Sequence, residues 1–379
     1  MKQTPLAWLN LVHERVRTLV AMAGVAFAVI LILMQLGFYN SVRLTASLVY
    51  DKLDFDLLLA SPDYLYMVRS GTLPRERLQQ AESHPDVTRA MPLYVGLNLW
   101  RMHNTGHERG LLLMGFNPTD RVFLLPELNR QCAKIEQRYH VLMDRMSHPD
   151  FGPHTPGTEA EIGGKRILIT GNFTLGTGFS ADGAVVCSDL TFSRLMPARP
   201  LKSLSLGLVK LRPGADPERV AGELANVLPE DVVVYTRPQI NAQDRHHWVM
   251  KTSVGIIFGL GVVLAVLVGV AITYQVLSSD IDNRLSEYAT LKAMGFPPGY
   301  LSWTVLTQAF ILAVGGFIPG LIISRAMYAI TSRAAHVPME MTLPMAIGVF
   351  VLGVLMCAIS GLLSLRKVQN ADPATLLFS

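Results

Sequence analysis

Charge is scarce in this chain. Only 16% of its 379 residues are Asp, Glu, Lys or Arg, and the two signs nearly cancel to a formal net charge of +4. An excess that small and that dispersed does not suit nucleic acid, and no basic arm or aromatic stacking platform is present. Cysteine is scarcer still, at three residues, which excludes a disulfide framework. Aromatic residues make up 8%. What fills the chain instead is aliphatic: half of it is hydrophobic and the mean hydropathy is positive. Soluble domains of this size rarely combine those values, so the composition points to a membrane.

The hydrocarbon core of a bilayer takes about 20 apolar residues in a helix. Four stretches meet that requirement: Leu19 to Phe38, Thr252 to Leu277, Trp303 to Ile323 and Leu343 to Leu363. One apolar span near the N-terminus, a long and more polar insertion, then three spans close together make a one-plus-three layout. A secretory signal is the competing reading of the first span. Its apolar run exceeds a usual signal core, and Gly37-Phe38-Tyr39-Asn40 offers no small-x-small cleavage site, so it reads as a retained helix.

Short flanks set the orientation. Lys2, Arg15 and Arg17 precede span one, and Arg366 and Lys367 follow span four, so both termini are expected in the cytoplasm; Arg325 and Arg333 run mildly against this. The chain then divides into a cytoplasmic amphipathic N-terminal helix (1–18), span one (19–38) and an extracytoplasmic α+β domain (39–251). Span two (252–277), a cytoplasmic connector (278–300), span three (301–325), a short extracytoplasmic loop (326–342), span four (343–364) and a cytoplasmic tail (365–379) complete it. The N-terminal helix rests on Thr4-Pro5 as a start signal, with Leu6, Leu9 and Val16 at helical spacing and Trp8 at headgroup level. A short disordered tail is the alternative.

Within the insertion, Asp54 to Ala60 reads as a strand, Pro74 to Ala81 as a helix, and Val87 to Trp100 as a strand interrupted at Gly96. Gly110 to Phe116 reads as a further strand. Leu204 to Leu211, a helix opened by Asp216-Pro217 and running to Val227, and Val232 to Tyr235 make a β-α-β unit of ferredoxin-like type. Asp120 to Leu201 reads as an insert richer in Gly, Pro and His. Cys132 and Cys187 both fall in the insertion; a bridge between them is open to an extracytoplasmic region, and two buried free thiols are the better-supported reading.

No catalytic constellation emerges. Gly178-Phe179-Ser180-Ala181-Asp182 has Asp where a nucleophile elbow needs its second Gly. Gly163-Gly164-Lys165-Arg166 lacks the first Gly and the Ser/Thr of a phosphate-binding loop. His103 and His107 flank an Asn104-Thr105-Gly106 turn, and His246-His247 has no third ligand nearby, so neither reads as a zinc site. No Asp, Glu, Lys or Arg lies in the cores of the four spans, which argues against an ion relay. Gly255 with Gly259 and Gly316 with Gly320 are GxxxG pairs suited to close helix packing or a dimer contact, and Pro319 should kink span three.

The connector carries the sharpest signal. Ser278 to Met294 can run as a helix, with Asp280 and Arg284 paired at i,i+4, an apolar stripe of Ile281, Leu285 and Tyr288, Gly295 as C-cap and Pro297-Pro298 as a stop. An ordinary loop on the headgroups would show the same periodicity. The run from Arg284 through Glu287, Leu291, Lys292 and Ala293 to Gly295 resembles the R-x-x-E-x-x-x-L-K-A-x-G signature of FtsX/MacB-type permeases of type VII ABC transporters. The tail Asp372-Pro373-Ala374-Thr375-Leu376-Leu377 resembles that family's D-P-x-x-A-L ending, with Leu376 in place of Ala. Pro5 to Leu9, Ala23 to Ala28, Met34 to Phe38, Gly115-Phe116-Asn117-Pro118 and Phe173-Thr174-Leu175-Gly176 are similar to the DevC branch of exporter permeases.

The resemblance implies a non-catalytic subunit of an inner-membrane export complex. It implies a homodimer among membrane lipids, a separate cytoplasmic ATPase that binds ATP and Mg, and a membrane-fusion-type adaptor protein, with an outer-membrane channel as a further candidate partner. It implies that ATP-driven motion is passed to the outer domain (mechanotransmission) and that the substrate is hydrophobic or lipid-like. On this reading Arg284, Glu287, Leu291, Lys292 and Gly295 couple the ATPase. The alternative is an FtsX-like signal transducer that activates an extracytoplasmic hydrolase.

Overall fold

The structure is a computed structural model, and it describes residues 15–101, 108–176, 178–283, 294, 297–335 and 337–369. The chain divides into two compact units. One comprises residues 1–40, 256–332 and 339–379; the other comprises 41–255 with 333–338.

Among the described residues, four helices are long and apolar enough to cross a membrane. They are α1 (Arg15–Thr45), α7 (Ser253–Asn283), α8 (Pro298–Ala335) and α9 (Leu343–Gln369), referred to below as spans one to four. Three of them have 31 residues or more. At 1.5 Å per residue, the 31 residues of α1 measure roughly 46 Å and the 38 residues of α8 roughly 57 Å, against a hydrocarbon thickness of about 30 Å. The loop expected at 326–342 is therefore mostly helix. Nothing between Ile323 and Ala335 breaks the ladder, and only the residues before Leu343 are left to turn. Pro319 lies inside α8, which continues through it. Of the N-terminal helix expected at 1–18, only residues 15–18 are described, and they belong to α1; the tail beyond 369 also lies outside the described residues.

The inserted domain carries, in chain order, β1 (Leu57–Ala60), β2 (Leu73–Pro74), β3 (Val87–Arg101), β4 (Glu108–Phe116), β5 (His140–Asp144), β6 (Glu159–Ile162), β7 (Lys165–Phe173), β8 (Ala184–Ser188), β9 (Ser203–Leu204), β10 (Leu206–Leu211) and β11 (Val233–Thr236). β2 and β9 pair with each other, and the rest form a nine-stranded sheet in the order β11-β1-β10-β3-β4-β8-β5-β7-β6. Its helices are α2 (Glu76–Glu82), α3 (Pro126–Asn129), α4 (Asp189–Leu195), α5 (Pro217–Val227) and α6 (Arg237–Met250). The predicted β-α-β unit is present as β10 (Leu206–Leu211), α5 and β11 (Val233–Thr236), in split form. β1 (Leu57–Ala60) lies between the two strands and pairs antiparallel with both. All four β1 residues are buried. Leu57 and Leu59 enter a core shared with Leu78, Val220 and Leu224, while Leu58 and Ala60 enter the opposite core with Phe55, Tyr64 and Ile240. Side chains alternate across a strand, so one short apolar run anchors both layers.

β3 (Val87–Arg101) is a single strand of 15 residues. The interruption expected at Gly96 does not occur; a Cβ there would meet the sulfur and terminal methyl of Met196, so the glycine serves close packing. The Asp120–Leu201 insert is not a separate body. Its strands β5 (His140–Asp144), β6 (Glu159–Ile162), β7 (Lys165–Phe173) and β8 (Ala184–Ser188) extend the same sheet from β4 (Glu108–Phe116). β6 then pairs back onto β3 at Trp100↔Ile162 and Arg101↔Glu161. Strands β3, β4, β8, β5, β7 and β6 thus form a closed ring, which removes the exposed edges an open sheet would leave.

Candidate functional site

Arg284, Glu287, Leu291, Lys292 and Gly295, the residues expected from sequence to couple an ATPase, lie outside the described residues, between the end of α7 at Asn283 and the start of α8 at Pro298. The structure describes the packing among the long helices and, separately, the contacts that hold the ends of the inserted domain together.

Within the membrane unit, span one is packed against two other spans. Glycines on span three admit it: a Cβ on Gly316 would meet the Val25 side chain and the Met22 carbonyl, and a Cβ on Gly320 would meet Val29 and the Ala26 carbonyl. Small residues let helix backbones approach closely where no hydrophobic drive separates protein from lipid. The Gly316–Gly320 pair thus serves packing inside one chain. Tyr328 of span three donates its hydroxyl to the Leu33 carbonyl, and its ring lies over Gly37. On the span-two side, Gly24 faces Val276, Gly261 leaves room for Gln35, and Phe38 stacks on Phe258 with centroids 5.0 Å apart. Gly259 approaches the Tyr39 ring at ordinary contact distance. Along span one, Val25, Val29, Ile32 and Leu33 are all buried.

The inserted domain gathers its two ends by a separate set of contacts, centred on α6. Sequence reading missed this helix because His246-His247 and scattered polar residues hide its apolar face. A signal was nevertheless present in Thr236-Arg237-Pro238-Gln239: a capping box with Pro in the first turn, in which the Gln239 side chain accepts the Thr236 amide at 2.9 Å. Arg237, at the first turn, donates to three carbonyls, those of Tyr50, Leu53 and Phe55, at 2.7–2.8 Å. Its guanidinium also sits 4.1 Å from the Phe55 ring centroid. Burial lowers its pKa, with Asp51, Asp56 and Asp54 acting in the other direction.

About two turns further along, Asp244 is only 1% exposed. Its Oδ1 accepts the Tyr64 hydroxyl at 2.5 Å and its Oδ2 accepts the Met67 amide at 3.2 Å. The Tyr64 hydroxyl is in turn hydrogen-bonded to that of Tyr50. Burial raises Asp244 to about 7, against the bonds from Tyr64, Met67 and Tyr50 that favour the carboxylate. At the end of α6, Trp248 packs edge-on to Tyr66, which also stacks on His247. Gly255 lies where α6 gives way to α7: a Cβ there would strike the Trp248 and Val249 carbonyls, so its contact is with the preceding helix.

The remaining sequence motifs have structural roles. Gly163 and Gly164, both at positive φ, form the two-residue turn between Ile162 and Lys165 of the β6–β7 hairpin. Residues 102–107, with His103 and His107, lie outside the described residues between the paired Arg101 and Glu108. Cys132 and Cys187 are free and buried. His84, Asp86 and Glu223 come close enough to hold a metal ion, but Arg219 already binds Asp86 at 2.5 Å and Glu223 at 2.7 Å, and His84 binds Glu223 at 2.9 Å. A cation is thus built into the cluster.

Residues 259–373 match the family model of the FtsX-like permease C-terminal domain. No curated protein matches the chain. Among solved structures, the periplasmic region of MacB from Actinobacillus actinomycetemcomitans aligns at 10% identity and TM-score 0.38, over 51% of this chain and 94% of that one. The extracellular domain of the noncanonic ABC-type transporter YknZ from Gram-positive bacteria aligns at 13% identity and TM-score 0.34, over 48% and 99%. A domain of a putative permease protein from Porphyromonas gingivalis aligns at 16% identity and TM-score 0.31, over 49% and 87%.

Proposed function

We propose that this FtsX-like permease chain is the membrane subunit of an ABC-type export complex, moved by ATP hydrolysis on a separate cytoplasmic ATPase. The observation that carries the reading is the permease match over residues 259–373, which spans the stretch from span two to the tail and includes the connector. The one-plus-three layout, with a folded α+β domain between spans one and two, supports it. On this reading the ATPase grips the connector through Arg284, Glu287, Leu291, Lys292 and Gly295. Motion then passes along the spans to the inserted domain on the other side of the membrane. A hydrophobic or lipid-like substrate, a membrane-fusion-type adaptor, a homodimeric assembly and a place in the DevC branch belong to the same proposal.

The span packing suits this mechanism. Span one is held between spans two and three by close, glycine-lined contacts, so displacement of the connector between spans two and three would reach it. Co-expression with the cognate ATPase provides the test. Glu287→Ala and Gly295→Pro should abolish stimulated ATP hydrolysis while the protein still inserts. Full stimulation in both variants would overturn the coupling assignment. Co-purification of an adaptor supports export, and co-purification of a cell-wall hydrolase instead would replace export with signalling.

A further inference from the structure

Asp244 stands out from the other buried carboxylates of the inserted domain. Asp144, also fully buried, accepts three backbone amides, from Met146, Leu175 and Gly176, and needs no further partner. Asp244 accepts the Met67 amide and the Tyr64 phenol, with the Tyr50 hydroxyl as a further favourable neighbour, and among the described residues it makes no ion pair. The groups around it are tyrosines. Tyr50 comes from the turn that follows span one, Tyr64 from the loop after β1, and Tyr235 from β11. On α6 itself, Arg237 is engaged with three carbonyls, His247 is stacked on Tyr66, and Arg245 and His246 are exposed. Lys251 beyond the helix is exposed, as is Arg69 on the facing loop. Next to the carboxylate lies a narrow cavity of about 10 Å³, lined in part by Thr45, Tyr66, Met67, Ser180 and Trp248, at the lower limit for a single water.

We infer that Asp244 takes up and releases one proton in the folded protein, and that this proton is a latch between α6 and the Tyr64–Met67 loop. The hydrogen-bond geometry dictates how it works. Oδ2 faces the Met67 N–H, a fixed donor, so the ionised carboxylate accepts there in either state of the tyrosines. An added proton must therefore sit on Oδ1, where it becomes the donor to the Tyr64 oxygen. Tyr64 can then no longer donate to Asp244 and turns its hydroxyl toward Tyr50. When Asp244 is ionised, Tyr64 donates to Oδ1, and the short Tyr50–Tyr64 contact is donated by Tyr50. One proton thus reverses both hydroxyls of a chain that links the turn after span one to the helix before span two. Losing that proton also puts an unpaired charge in a site without a cation, which loosens the grip of α6. Burial places the transition near neutral pH, where an outer domain meets changing acidity. This inference concerns the inserted domain alone and stands apart from the identity of the ATPase or substrate.

Trp248 lines the same cavity as Asp244 and serves as reporter. The full-length chain, solubilised in detergent with Trp8, Trp100 and Trp303 replaced by Phe, should show a one-proton fluorescence transition centred near pH 7. Asp244→Asn, which keeps an acceptor for Tyr64 and cannot titrate, should abolish it. Tyr64→Phe removes a bond that favours the carboxylate and should move the midpoint to higher pH. His247→Gln should leave the transition in place. No transition between pH 5 and 9 in the parent overturns the latch. So does a transition that survives Asp244→Asn, or one lost only with His247→Gln. Should Asp244→Asn fail to fold, the direction of the Tyr64→Phe shift decides, and an unmoved midpoint rejects the proposal.

Discussion

Thr252 donates its hydroxyl to the Trp248 carbonyl at 2.6 Å and accepts the Gly255 amide on the same oxygen at 3.1 Å. One side chain therefore closes the last turn of α6 and caps the first turn of α7. Orphan carbonyls and amides at helix ends need partners, and two ends that meet within three residues have room for little else. Thr252→Val should cost about 1 kcal/mol, as a lost cap typically does, while Thr252→Ser should be nearly neutral. Thermal unfolding of the three proteins checks this; an unchanged Val variant would show that the hydroxyl contributes nothing to the junction, and a loss confined to the Ser variant would assign the effect to packing of the methyl group.

Arg237 gathers the Tyr50, Leu53 and Phe55 carbonyls into one planar fork. Lysine has the charge without the fork, so Arg237→Lys should lose most of the three bonds and cost on the order of 2 kcal/mol. Hydrogen exchange should speed up in residues 50–58 before it does elsewhere in the sheet. Unchanged protection there would show that β1 pairing alone fixes the segment.

The glycines of span three give a paired comparison. Gly316→Leu and Gly320→Val place atoms against Val25, Val29 and the span-one backbone, and overpacking of this kind costs about 1–3 kcal/mol. Gly348→Ala and Gly353→Ala on span four meet open space within 4 Å and should be neutral. Detergent melting temperatures separate the two pairs. Equal effects would mean that lipid-facing and protein-facing glycines are not distinguished by the packing described above.

The pH dependence of stability has two limbs of opposite sign. Asp86, Glu223 and Asp231 are held below the usual carboxylate range by hydrogen bonds from Arg219 and Arg77. Their contribution is complete above the unfolded value of about 4 and is lost as pH falls through the lowered folded values. Asp244 is raised to about 7. Between about 4 and that value the folded state binds the extra proton, so its contribution declines as pH rises toward neutral. Stability should therefore peak in mildly acidic solution. Added salt should flatten the acid limb, where the pairs are exposed, more than the neutral one. A monotonic rise from pH 4 to 8 would contradict the second limb.

The spans were legible because lipid imposes a length and an apolarity that any sliding count detects. The split β-α-β unit was legible as well. Asp216-Pro217 opens its helix, Val220 and Leu224 mark its buried face, and the β-branched run at Val232 to Tyr235 marks the strand that follows. Gly96 misled because a glycine inside a strand pattern carries the same letter whether it breaks the strand or makes room for Met196. The capping box at Thr236 to Gln239 was visible, but its helix shows little apolar periodicity, since it is held by Arg237, Ile240, Asp244 and Trp248.

By itself, then, the sequence determined that this protein has four membrane spans, an inserted α+β domain between the first two, and a connector resembling a permease coupling segment. Those properties depend on local composition and spacing. Which glycines face a neighbouring span, that the 120–201 insert closes six strands into a ring, and that Asp244 meets Tyr64 across 180 residues were decided only by tertiary structure. Contacts between residues far apart in sequence leave no periodic trace, and whether a polar side chain is exposed or sealed depends on what the rest of the chain folds against it.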